Sequence, residues 1–287
     1  MLNRRRMLSG TAALALAPGG VSRAQVGSDS DIALSEERGR FLVDVEVNAG
    51  DGYRFVLDTG ASAHFISTRL VQRLALPRVS SSNVRGHQGR DPATVVRLAR
   101  MAVGGYAVRS ARAIAWSPEA LEGHDGLIGY PILGPQALID LRGRKLVLGA
   151  SPPQGAIEAP AEVSSRQTLL IGGVPGAEGR FVFDTGSSGC VVSRAYFERL
   201  RETEAYRDAQ KVMTADDQHQ LRLTGFRPAE LRFGDIVLLN PIVTVAARSV
   251  SDEVFHGVDA LFGNRVLRGF AWWIDQERAT LHAQPYV

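Results

Sequence analysis

Asp-Thr-Gly occurs twice in this chain, at Asp58-Thr59-Gly60 and at Asp184-Thr185-Gly186, each time followed by a small residue and then serine. One such triplet is weak evidence, because Asp, Thr and Gly are all at home in turns. Two in matched surroundings need a common cause. Each follows an apolar run, Phe55-Val56-Leu57 or Phe181-Val182-Phe183, that reads as a buried strand. A carboxylate at the end of a buried strand is costly to desolvate, so function rather than stability keeps it there. The chemistry open to two carboxylates held together is acid–base. Like charges a few ångströms apart do not both ionise easily, so the pair shares one proton and offers an acid beside a base. This reading expects the Asp58 and Asp184 carboxylates within hydrogen-bonding distance of one another.

The elements that must position them are duplicated too. Arg54 through Ser62 aligns with Arg180 through Ser188, and both copies then reach a serine, Ser67 or Ser193, before a helical stretch. Further on, Asp125-Gly126-Leu127-Ile128-Gly129 matches Asp259-Ala260-Leu261-Phe262-Gly263. Both copies close on Ile-Asp, at Ile139-Asp140 and Ile274-Asp275, followed by a turn and a last strand. The spacing predicts a mostly β chain of two lobes, residues 38–148 and 167–285. The Pro- and Gly-bearing stretch 149–166 is expected as the linker between them.

These motifs resemble those of the pepsin-like and retropepsin-like aspartic proteases, with two retropepsin-like lobes fused in one polypeptide. The resemblance implies a bilobal acid-protease fold with pseudo-twofold-related, barrel-like lobes and short helices, and a peptide or protein substrate. It implies aspartic endopeptidase activity in which Asp58 and Asp184 activate a water, aspartic proteases being the standard case of a carboxylate pair that titrates as a unit. Leu127-Ile128-Gly129 and Leu261-Phe262-Gly263 would thread beneath the loops that carry the aspartates. Gly60 and Gly186 would allow the tight loops, and Thr59 and Thr185 would hydrogen-bond across the lobe boundary. One asymmetry stands out: Ala61 follows the first triplet and Ser187 the second. A hydroxyl donated from Ser187 to Asp184 would favour the ionised form there and leave the proton on Asp58. Gly86-His87-Gln88-Gly89 is the expected flap tip, whereas Thr214 to His219 in the second copy reads as an ordinary surface turn. The tyrosine that pepsins carry on the flap is not evident.

Residues 1–24 read as a signal peptide: Arg4-Arg5-Arg6, a modestly apolar stretch, then Ser22-Arg23-Ala24 as a small-x-small cleavage site. The paired arginines also resemble a twin-arginine signal, and the Sec and twin-arginine routes both stay open. Either predicts export, most simply to a periplasm, with no stable membrane span in the mature chain. Of the net charge of +3, four arginines lie in this leader, which has no acid, so the remaining chain carries −1. No basic, aromatic-interleaved stretch suggests nucleic acid. Val26 to Glu37 is too short for an inhibitory propeptide of the pepsin type. Cys190, the only cysteine, permits no intramolecular disulfide and reads as a small buried hydrophobe. The six histidines show no paired ligand spacing, so neither metal nor other cofactor is expected. His64, only approximately matched to Cys190 in the repeat, reads as structural, His124 as a solvated loop residue, and Trp272-Trp273 as strand core. A monomer is expected.

Two other functions compete with a general endopeptidase. A peptide-binding module that keeps the cleft but no longer turns over has no need of both carboxylates, which argues against it. A processing enzyme dedicated to one envelope partner has the same motifs.

Overall fold

The computed structural model describes residues 30–286 apart from 49, 51, 87–88, 118–120, 216–221, 248–249 and 251. The leader at 1–24 and the flap-tip residues His87 and Gln88 lie outside the described residues. So does most of the second-copy turn, since the strand Gln210–Ala215 holds only its Thr214 and Ala215.

Alternation sets the strands. In Gly52–Asp58 the first residues alternate between solvent and core, and the last four are all buried, because there the strand runs between neighbours on both sides. Ala177–Phe183 likewise ends in three buried residues. Each is flanked by a parallel strand from the later apolar-Gly element, Gly126–Gly129 in the first lobe and Ala260–Phe262 in the second. That strand also pairs antiparallel with the one after the triplet, His64–Ser67 or Cys190–Val192. The four central strands of each lobe therefore have the same order. In the first lobe the eight-stranded sheet curls back on itself, because Arg40–Val47 pairs both with Gly52–Asp58 and with Gly89–Val103. A short helix follows in each lobe, Thr68–Arg73 or Arg194–Leu200. Its cap is the serine shared by both copies: Ser67 Oγ accepts from Leu70 N at 3.1 Å and Ser193 Oγ from Tyr196 N at 3.0 Å.

A six-stranded sheet joins the lobes beneath the triplets. Its centre is the antiparallel pairing of Gln136–Asp140 with Phe270–Asp275, in which Ile139 lies opposite Trp272. Trp272 is fully buried, donates its indole N–H to Leu267 O at 2.7 Å, and packs edge-on against Phe183 at 5.4 Å between centroids. The tryptophan pair is thus strand core of the joint.

Two segments contribute more than expected. The stretch read as a linker carries Ile157–Ala159, on the edge of the joining sheet, and Ala161–Val163, paired with Thr168–Val174. Upstream of residue 38, Ser30–Ala33 pairs with Lys145–Leu148 on the opposite edge, and Ser35–Glu37 forms a hairpin with Arg40–Val47. Strands of three or four residues are too short to show a period, so neither the linker stretch nor the segment before residue 38 announces them.

Candidate active site

The strand Gly52–Asp58 ends on the first aspartate, whereas Ala177–Phe183 ends one residue before the second, so both triplet loops emerge at the boundary between lobes. There the Asp58 and Asp184 carboxyl groups share a side-chain hydrogen bond. Asp58 is 3% exposed and Asp184 fully buried. Each loop folds its own amides onto its carboxylate: Gly60 N and Ala61 N donate to Asp58 Oδ1 at 3.0 and 3.1 Å, and Gly186 N donates to Asp184 Oδ1 at 2.9 Å. Glycine is required at 186 by the other lobe, since a Cβ there would lie 2.3 Å from the Asp58 carboxyl carbon.

The two threonines tie the loops together reciprocally. Thr59 N donates to Thr185 Oγ1 and Thr185 N to Thr59 Oγ1, both at 3.0 Å. Each hydroxyl then donates to a carbonyl across the boundary, Thr59 to Phe183 O at 2.7 Å and Thr185 to Leu57 O at 2.8 Å. All of these groups are buried, so each bond satisfies polar atoms that water cannot reach.

Beneath the loops run the two apolar-Gly elements. Gly129 is opposite Asp58 in the parallel pairing, with Leu127 and Ile128 opposite Val56 and Leu57. Leu261 and Phe262 lie opposite Val182 and Phe183. A Cβ on Gly129 would stand 2.1 Å from Ala63 O, and one on Gly263 would stand 2.3 Å from Gly189 O. Only glycine lets the triplet loop close over the strand.

The electrostatics keep a proton on this pair. Burial, and then the charge of Asp184, hold the Asp58 carboxyl well above its ordinary value of 3.8, against a downward pull from Arg40. The hydroxyl expected to donate to Asp184 is engaged elsewhere. Ser187 Oγ donates to Gly189 O at 2.9 Å, and a hydroxyl has a single proton to give. Ser187→Ala therefore leaves the titration of the pair in place and costs about 1 kcal/mol for one lost hydrogen bond. Thermal melting together with carboxyl titration checks this; a shifted carboxyl midpoint would restore the Ser187–Asp184 contact.

The raised affinity of Asp58 for its proton has a sign. A carboxyl whose folded value exceeds its unfolded one contributes stability that is complete below about pH 4 and is lost as pH rises through the folded value. Asp58→Asn is neutral at every pH and escapes that loss. The melting temperature of the variant relative to the parent is expected to rise from pH 4 to pH 8. Parallel melting curves across that range would contradict it.

Gly86 and Gly89 pair at the ends of two long strands, Arg78–Gly86 and Gly89–Val103. This hairpin reaches across to the 3-10 turn Asp252–Phe255 of the second lobe. His64 is half-buried, accepts from Gly129 N at Nδ1 (3.2 Å), and burial pushes its imidazole down to about 4, so the ring is neutral near pH 7. Register makes Cys190 its full counterpart, not an approximate one: Cys190 pairs with Phe262, and the first-lobe register, continued by one pair, sets His64 opposite Ile128. Cys190 is buried and its thiol is pushed up to about 12. His124 is half-buried rather than solvated, and burial lowers its imidazole.

Two residues of the site escaped sequence reasoning. Asn264, directly after Gly263, donates from Nδ2 to Thr185 O at 2.9 Å and to Gly39 O at 3.0 Å, bridging the second triplet loop to the first lobe. Arg40 is buried near Asp58. Asn264 directly extends one repeated motif, which is a local signal; Arg40 stands at the first position of its strand and carries none.

Two β lobes that each lend one aspartate to a shared, threonine-locked centre define the bilobal aspartic protease fold. The chain belongs to the aspartyl protease family: the family's model, described as aspartyl protease, matches residues 43–132 and again 169–264, one match per lobe. No curated protein matches the chain. Among the described residues, no helix is long and apolar enough to cross a membrane.

Proposed function

We propose that this protein is an aspartic endopeptidase that hydrolyses peptide bonds with Asp58 and Asp184 as its dyad. The observation that carries the reading is the mutual hydrogen bond between two buried carboxylates, one from each lobe. In the mechanism, Asp184 takes a proton from a water as it attacks the scissile carbonyl, and Asp58 gives its proton to the carbonyl oxygen. Collapse of the tetrahedral intermediate then passes a proton to the leaving amine. The loop amides of Gly60, Ala61 and Gly186 hold both carboxylates in place, and Thr59 and Thr185 hold the loops. Leu127, Leu261 and their neighbours pack beneath them. The hairpin ending at Gly86 and Gly89 serves as the flap over the bound peptide, and its reach to Asp252–Phe255 supports that role. The mature chain acts as a monomer after export to the periplasm, with residues 1–24 removed; cell fractionation with Arg4 and Arg5 changed to Lys tests the twin-arginine route.

The direct test is digestion of a diverse peptide pool by the purified protein from acidic to neutral pH, with products read by mass spectrometry. Cleavage by the parent and none by the dyad variants supports the reading. Binding without cleavage would instead favour the peptide-binding module.

A further inference from the structure

Arg40 opens the strand that pairs antiparallel with Gly52–Asp58. Leu42 lies opposite Val56, and the same register continued by two pairs sets Arg40 opposite Asp58, on the same face of the sheet. Arg40 is 8% exposed, and its Nη2 meets Glu122 Oε1 at 2.8 Å. Glu122 comes from the loop that leads into Gly126–Gly129, where its backbone adopts φ 52 and Gly123 follows at φ 83. A residue with a Cβ seldom takes that conformation, which costs about 1–2 kcal/mol. The strain is retained in a loop that turns a carboxylate inward onto Arg40. On the other side, Arg38 and Gly39 (φ 50 and 75) form the tight turn before Arg40, and Gly39 O is held by Asn264, which also holds Thr185 O. Arg40 is thus fixed from both lobes.

At the matching position the second lobe carries a neutral residue. Leu169 lies opposite Val182, so the same extension sets neutral Gln167 opposite Asp184. The lobes differ here by one buried cation, an asymmetry separate from the Ala61 and Ser187 difference.

We propose that Arg40 and Glu122 are a positioning ion pair that sets the working pH range of the Asp58–Asp184 centre: the guanidinium favours the ionised form of the pair, and Glu122 aims the guanidinium and partly offsets it. The proposal rests on the dyad reading and deepens it. Both act through the field at Asp58, which is strong where water is excluded. The charged and titratable groups around them are Asp184 from the second lobe, His124 on the Glu122 loop, Glu37 and Arg38 on the hairpin before Arg40, and Arg54 on the Asp58 strand. Of the two charged groups that act on Asp58, Arg40 is the cation, and it opposes the upward pushes of burial and of Asp184.

The test is a carboxyl-carbon NMR titration of the full protein, with the Asp58 and Asp184 signals assigned through Asp58→Asn and Asp184→Asn. It compares the parent with Arg40→Gln, Glu122→Gln, the double variant and Arg40→Lys. The expected order of the Asp58 midpoint, from low to high pH, is Glu122→Gln, parent, double variant, Arg40→Gln, with Arg40→Gln about one pH unit or more above the parent. Arg40→Lys keeps the charge and stays near the parent. A purely structural role lowers stability in all variants without producing this order. Because Glu122→Gln leaves a buried guanidinium without its carboxylate, the double variant and Arg40→Lys keep the test decisive if that protein is unstable. An Arg40→Gln midpoint equal to or below the parent's overturns the proposal. The pH–rate profiles for one peptide are expected to shift in the same order. If the parent cleaves no peptide, the dyad reading fails while the midpoints still decide the role of Arg40.

Discussion

Asp58→Asn and Asp184→Asn are each expected to lower peptide cleavage by at least ~10²-fold while the fold survives. Asparagine keeps the shape of the carboxyl and can still accept from the loop amides that hold Asp58 and Asp184 now. What it removes is the exchangeable proton of the shared pair, so neither partner alone can be base toward water and acid toward the carbonyl in sequence. The loss should therefore appear in kcat more than in KM. Circular dichroism and melting separate this result from misfolding, and the melting temperature of the Asp58 variant relative to the parent should rise toward neutral pH, since asparagine needs no bound proton to stay neutral in the buried site. Full activity in both single variants would sink the mechanism.

Thr59→Val and Thr185→Val come next in size. Each valine removes one buried hydroxyl that both donates and accepts, leaving a backbone N–H and a carbonyl unpaired in the opposite lobe. At roughly 1–3 kcal/mol for each stranded group, the loss is about 3 kcal/mol, or roughly 6–12 °C in melting temperature for a chain of this size. Activity should fall as well, because the same bonds fix the spacing of the two carboxylates. Thr→Ser at either position keeps the hydroxyl and should recover most of both losses. If valine melts like the parent, the lobes are held by the joining sheet alone.

The parts legible in sequence were those written by local pattern and by repetition. The ends of two apolar strands marked Asp58 and Asp184, a serine before each helix marked the caps that Ser67 and Ser193 supply, and the repeated apolar-Gly element marked Gly129 and Gly263, where no Cβ fits. Each of these signals lies within a few residues of the feature it reports, and duplication doubled its weight. The family match falls on the same two stretches.

The partners of those residues were decided elsewhere. The sequence placed a hydroxyl beside Asp184, but only the loop conformation turned Ser187 toward Gly189 O. Segments of three or four residues, Ser30–Ala33 and Ile157–Ala159, carry no period of their own and became strands because the joining sheet offered them an edge. Arg40 and Glu122, 82 residues apart, meet only because strand register and a left-handed loop bring them together. By itself, then, the chain determined which carboxylates form the centre and what scaffold carries them, since these follow from periodicity and turn chemistry. The tertiary structure decided which donors and charges surround that centre, because a side chain's field and hydrogen bonds depend on neighbours that no local pattern specifies.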